Sequence, residues 1–95
     1  MRIRLTPQAR SDLELIHQYL FDRSPTAAGK VLAAIHEALN LLAEHPQAAQ
    51  ATEHQDIRAA VVRHYPYRIF YTVSIDAIDI LHVRHASRRA WLPPS

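Results

Sequence analysis

Tyr65-Pro66-Tyr67-Arg68-Ile69-Phe70-Tyr71-Thr72-Val73-Ser74-Ile75 is the stretch whose reading decides the fold. Successive side chains of a strand point to opposite faces. A strand from Tyr67 to Ile75 therefore gathers Tyr67, Ile69, Tyr71, Val73 and Ile75 on one face, and Arg68, Phe70, Thr72 and Ser74 on the other. Aromatic and β-branched residues fill the run, as a half-buried pleated surface requires. Tyr65-Pro66 bends the chain into it. Asp76-Ala77 reads as a tight turn, and Ile78 to Arg84 returns as the next strand. Just upstream, Ile57-Arg58-Ala59-Ala60-Val61-Val62-Arg63 is also rich in strand formers. Three strands with short links make an antiparallel meander.

Toward the N-terminus the period changes. Ile3 and Leu5 alternate with Arg2, Arg4 and Thr6, which predicts a short first strand. Thr6-Pro7 then signals a helix start: the threonine caps an orphan N–H, and proline at the first helical position loses no bond. Ala9, Leu13, Ile16 and Leu20 form one apolar stripe, and Tyr19 and Phe21 flank it. Ser24-Pro25 repeats the signal for a second helix with Ala28, Val31, Leu32, Ile35, Leu39 and Leu42 on one side. That helix stops near His45-Pro46, because the residue before proline is pushed out of helical geometry. Residues 46–56 are polar and aperiodic and read as a loop. Gly29, the single glycine, costs the second helix about 1 kcal/mol unless the helices cross closely there.

The resulting fold class is α+β in two layers: an N-terminal strand, an antiparallel two-helix hairpin, then a three-stranded antiparallel meander. The hairpin covers one face of the sheet. The other face is left partly open and carries Arg68, with Arg84 expected on the neighbouring strand. Ninety-five residues, 48% of them hydrophobic, suit one domain with a modest core, over residues 1–95. The absence of cysteine excludes disulfides and thiolate metal sites and fits a cytoplasmic protein. No apolar run reaches the roughly 18 residues that span a bilayer, so no membrane role is expected. Net charge is only +2, but it is divided unevenly. Residues 1–56 hold five basic and seven acidic side chains, whereas residues 57–95 hold six arginines against Asp76 and Asp79. A basic C-terminal half suits nucleic acid, a phosphate or an acidic protein segment.

With these elements in order, the chain resembles the RelE/ParE toxin superfamily. Tyr67-Arg68-Ile69-Phe70-Tyr71 is similar to that family's Y-R-[IL]-x-Y core. Val83-Arg84-His85-Ala86-Ser87-Arg88 resembles its V-x-H-x-x-R ending. Ala9, Asp12-Leu13, Ile16 and Tyr19 match its first helix, and Pro25 to Ala28 the start of its second. The resemblance implies a two-layer RelE/ParE-like fold and a type II toxin–antitoxin pair. In that pair a ParD-like antitoxin binds through a partly disordered acidic segment that orders on contact.

Two activities divide the family. RelE-type members cut messenger RNA on the ribosome. Such cleavage needs a base for the 2′-hydroxyl, cations for the phosphate and an acid for the leaving group. Arg68 stands at the family's phosphate-contacting position, but Ala59-Ala60-Val61-Val62 replaces the catalytic lysines, and no tyrosine follows Tyr71. A ribonuclease here would have to use Arg68, Arg84, His85 and Arg88. The simpler reading has His85 ending the last strand and bonding to backbone. ParE-type members poison DNA gyrase and arrest growth, and this sequence fits them better. On that reading Arg68, Arg84, His85, Arg88, Arg89 and Trp91 are candidates for gripping the target or the antitoxin, because arginine and tryptophan are rich in interface energy. A third reading is a non-toxic binding module of the same fold. No cofactor is expected, and the spacing of His36, His45, His54 and His64 suggests no metal site.

Overall fold

A computed structural model describes residues 1–54 and 56–87 of the chain. The elements run β1 (Arg2–Leu5), α1 (Pro7–Arg23), α2 (Pro25–Glu44), β2 (Gln50–Ala51), β3 (Arg58–Val61), β4 (Tyr67–Val73) and β5 (Ala77–His85). The α+β class and its order follow the sequence pattern.

Both helices start where the capping residues stand. Thr6 Oγ1 accepts from the Ala9 N–H at 3.1 Å, and Ser24 Oγ accepts from the Ala27 N–H at 3.2 Å. A proline follows each cap. Ser24 also ends α1, donating its own N–H to the Leu20 carbonyl at 2.8 Å. One extended residue thus stops the first helix and opens the second. From α2, Ala28, Val31, Ile35, Leu39 and Leu42 are buried. From α1, Ala9 is buried, while Leu13, Ile16 and Leu20 are partly so. These stripes meet Tyr67, Ile69, Tyr71, Ile78, Ile80 and Val83 in one core. Full burial of a side chain such as Ile35 or Ile80 stabilises by roughly 1.5–3 kcal/mol. Gly29 faces open space, so no close helix crossing explains it.

All five strands form one sheet in the order β1-β5-β4-β3-β2. The expected meander supplies β3, β4 and β5. The first strand joins as a parallel neighbour of β5, with Arg2 opposite Ala77 and Leu5 opposite Ile80. A parallel pair needs a long connection, and here it consists of the helical hairpin followed by β2, β3 and β4. Three local readings are corrected. Residues 46–56 are not wholly loop, because Gln50 and Ala51 pair with Ala59 and Arg58. Ile75 is not a core-facing strand residue. The strand ends at Val73, and Ile75 lies 98% exposed in the turn. Ala77 belongs to β5 and not to the turn; its carbonyl accepts from Ser74 N and Oγ.

The β4–β5 register also slips by one residue. Phe70 pairs with His82 but Tyr71 pairs with Ile80, so Leu81 is an inserted bulge residue. The slip keeps Ile78 and Ile80 facing the helices in step with Val83 beyond the bulge. It thereby sets which way Arg84 points.

Candidate functional site

The register puts Arg68 directly opposite Arg84, and Val61 opposite Arg68 on the other side. Ile69 and Val83, the adjacent pair, face the core. By strand alternation, Arg68, Arg84 and Phe70 therefore lie on the face that no helix covers. Both arginines are half-buried, and among the described residues neither has a carboxylate within ion-pair distance. Holding two like charges opposite each other in a sheet costs a few tenths of a kcal/mol or more. A bound anion would reverse that sign, since planar guanidiniums take phosphate or carboxylate in paired bonds.

A third arginine reaches the same face, but its charge is already used. Arg4 Nε donates to Asp79 Oδ1 at 2.7 Å, and Nη2 donates to Asp79 Oδ2 at 3.2 Å and to Ser74 Oγ at 3.3 Å. The bonds from Arg4 hold the Asp79 carboxyl below its ordinary pKa and raise that of Arg4. On this face Arg68 and Arg84 are thus the arginines that the β4–β5 register sets directly opposite each other.

Beside Arg68 the same face sinks into a hollow of about 400 Å³, lined by Thr52, Glu53, Ala59, Val61, Arg68 and Phe70, with Gln50 and Ala51 at its edge. The Phe70 side chain is only 2% exposed. Glu53 is a titratable neighbour of Arg68 that sequence reasoning missed. It sits in a polar loop with no periodicity to announce it, and only the pairing of β2 with β3 brings it alongside.

His85 ends β5, on the other face. It pairs with Tyr67, and the two rings meet edge-on with centroids 5.3 Å apart. Its Nδ1 accepts from the Ser87 N–H at 3.1 Å and lies 2.7 Å from Ser87 Oγ. Burial pushes the Tyr67 phenol up, and Tyr19 across the helix interface adds to the shift. The arrangement brings Arg68 and Arg84 together and sets His85 apart from them. Arg88, Arg89 and Trp91 lie outside the described residues.

His82 faces the sheet edge. There β1 has ended and α1 takes over. Asp12 Oδ2 accepts the Val83 N–H at 2.9 Å and lies 2.5 Å from His82 Nδ1. One carboxylate thus does the work of a missing strand, anchoring β5 just before Arg84. Among the described residues no three His, Cys, Asp or Glu side chains converge as a metal site would need. No described helix is long and apolar enough to cross a membrane.

This geometry has known counterparts. The sequence pattern of the family described as "ParE toxin of type II toxin-antitoxin system, parDE" matches residues 3–90. The chain belongs to the ParE toxin family. Among relatives of this ParE-family toxin, Y4kP of Sinorhizobium fredii is 36% identical over 88 residues, covering 93% of this chain and 91% of the relative. Toxin RelE2 of Caulobacter vibrioides is 34% identical over 83 residues, covering 87% and 92%. Toxin RelE3 of the same organism is 30% identical over 89 residues, covering 92% and 96%. Among solved structures, a chain of the chromosomal ParDE system from P. aeruginosa superposes with a TM-score of 0.77 at 24% identity, over 90% of this chain and 95% of that one. A chain of the toxin–antitoxin complex RelBE2 from Mycobacterium tuberculosis gives a TM-score of 0.61 at 27% identity, over 88% of each. The α+β fold of the ParE/RelE toxins is thereby established for this chain, and the matched structures come from toxin–antitoxin systems.

Proposed function

We propose that this toxin is a protein-binding inhibitor of DNA gyrase that arrests growth in the cytoplasm and is neutralised by a ParD-like antitoxin. One observation carries the reading. The paired cations Arg68 and Arg84 stand on the open face of the sheet, whereas His85 is turned to the Tyr67 side and engaged there by the Ser87 N–H. A gripping surface needs anchors, and arginine is suited to that role. A hydrolytic surface also needs a proton carrier within hydrogen-bond reach of the reacting oxygen. Arg88, Arg89 and Trp91 follow directly after this strand and extend the proposed grip.

The test is a supercoiling assay with purified gyrase. Inhibition or trapped cleavage by the protein, relieved by Arg68→Ala together with Arg84→Ala, is the expected result. Unaffected gyrase together with ribosome-dependent transcript cutting would reject it.

The second reading, a RelE-type messenger ribonuclease, is favoured by a separate observation. Glu53 and Arg68 line one hollow beside the buried Phe70 ring. A carboxylate base next to a phosphate-binding cation is a workable beginning for 2′-hydroxyl attack. Glu53→Gln separates the two readings: it should silence transcript cutting and leave gyrase inhibition intact. The third reading, a non-toxic binding module, requires that induced expression leave growth unchanged.

A further inference from the structure

The hollow beside Arg68 has a local cause. Cross-strand partners share a face, so Ala59 and Val61 lie on the open face with Phe70 and Arg68. Ala59 is the smallest of the four, and the surface dips there. The dip holds about 400 Å³, within the range of small-ligand sites. Its floor is apolar, and its polar groups stand at two ends. Arg68 pairs with Val61 at the far end of β3, whereas Thr52, which precedes Glu53, is tied to Ile57 just before β3 begins.

Glu53 is held in place from both sides. The Thr52 hydroxyl accepts the His54 N–H at 3.1 Å and lies 3.0 and 2.9 Å from the carbonyl oxygens of His54 and Ile57. The Thr52 N–H donates to the Ile57 carbonyl, and the Ile57 N–H to the His54 carbonyl, both at 3.0 Å. The backbone around Glu53 is thereby fixed while the residue itself is exposed. Among the described residues no cation lies within ion-pair distance of its carboxylate.

An ionised carboxylate only accepts hydrogen bonds, and its two oxygens are best met by two N–H groups side by side. Among the nucleobases guanine alone has such an edge, with N1–H next to the N2 amine. Adenine and cytosine set a donor beside an acceptor, and uracil and thymine carry one N–H between two carbonyls. An arginine from a protein also presents paired donors, but it would bring another full positive charge toward Arg68 and Arg84. Guanine is neutral, and a phosphate attached to it offsets the two guanidiniums.

We infer that this hollow binds the base of a guanosine phosphate. Glu53 accepts from N1–H and the N2 amine, Ala59 and Val61 pack against the ring, and the phosphate reaches toward Arg68 and Arg84. The ligand is a free nucleotide or a guanosine within a single strand of nucleic acid, since both carry the same base edge and phosphate. The inference goes beyond the gyrase reading and does not depend on it.

The experiment titrates the purified protein by calorimetry with GMP, IMP, AMP and inorganic phosphate at one ionic strength. GMP should bind about tenfold or more tightly than AMP, the discrimination that a paired contact to a base edge provides. IMP, which lacks the N2 amine, should fall between them. Glu53→Gln should bring GMP and AMP to within about twofold of each other, whereas Arg68→Ala should weaken both and keep their ratio. A single-stranded DNA pentamer with one guanine among thymines separates the two sources. Tighter binding than GMP, lost when the guanine becomes thymine, assigns the site to nucleic acid; weaker binding assigns it to the free nucleotide. Equal affinity for GMP and AMP, or for GMP and inorganic phosphate, overturns the inference. A preference for GMP that survives Glu53→Gln overturns it as well, and so does a failure of both GMP and the pentamer to bind.

Discussion

Arg68 and Arg84 face each other across the β4–β5 ladder on the open side of the sheet, with no carboxylate within ion-pair distance of either among the described residues. Such opposition is a small standing cost to the fold, retained where the charges serve another purpose. Replacing Arg84 with glutamine should therefore leave stability unchanged or raise it by a few tenths of a kcal/mol, while target engagement falls. Thermal melts at low and high salt check the first part. Salt screens the repulsion, so the wild type should gain more from added salt than Arg84→Gln does. A variant that melts well below wild type would contradict the account.

Gly29 lies on the exposed side of α2, and a methyl group added there would meet nothing within 4 Å. Gly29→Ala should stabilise the protein by about 1 kcal/mol. For a chain of this size that is a rise of several degrees in Tm, readable by circular dichroism.

Asp12 substitutes for a strand at the β5 edge. Removing it leaves the partly buried Val83 N–H without an acceptor and removes the His82 contact. Asp12→Ala should cost about 1–3 kcal/mol. Asp12→Asn keeps an acceptor and should cost less. Urea unfolding of the two variants provides the comparison.

Acid should weaken the protein partly through Asp79. Its folded pKa is depressed, mainly by the hydrogen bonds from Arg4. A depressed carboxyl contributes stability at pH values above its unfolded pKa, near 4, and loses it as pH falls through the lower folded value. Asp79→Asn should therefore flatten the acid side of a stability–pH profile by lowering stability slightly at neutral pH, while leaving the most acid region nearly unchanged.

Tyr71 acts at the opposite end of the scale. It is fully buried, and its hydroxyl donates to the Pro46 carbonyl at 2.8 Å. Burial raises the phenol's pKa in the folded state. Its contribution is thus present below the unfolded pKa, near 10, and is lost as pH climbs through the folded value. Tyr71→Phe should cost about 1 kcal/mol at neutral pH and delay alkaline unfolding.

The parts of this fold that were legible in the sequence are those with a local cause. Thr6-Pro7 and Ser24-Pro25 state the helix starts outright, and His45-Pro46 states the end of α2. Alternation from Tyr67 to Val73 assigned Arg68 to the open face. What stayed hidden depends on distant partners. Nothing near Arg2–Leu5 says that its neighbour is Ala77–Ile80. Two residues, Gln50 and Ala51, are too few to show a period, so Glu53 could not be connected with Arg68. The bulge at Leu81 depends on how β5 pairs with β4, although it sets the phase of everything from His82 onward.

The parallel seam between β1 and β5 also governs when the molecule comes into being. Its two halves are separated by more than seventy residues, Leu5 to Ala77, so no local event can close it. A chain still under synthesis has Thr6, Asp12 and the helical hairpin in hand but nothing for them to fasten. Arg84 arrives with the very strand that seals the sheet. Stability and the paired cations thus appear in a single late step, and a product cut short before β5 has neither.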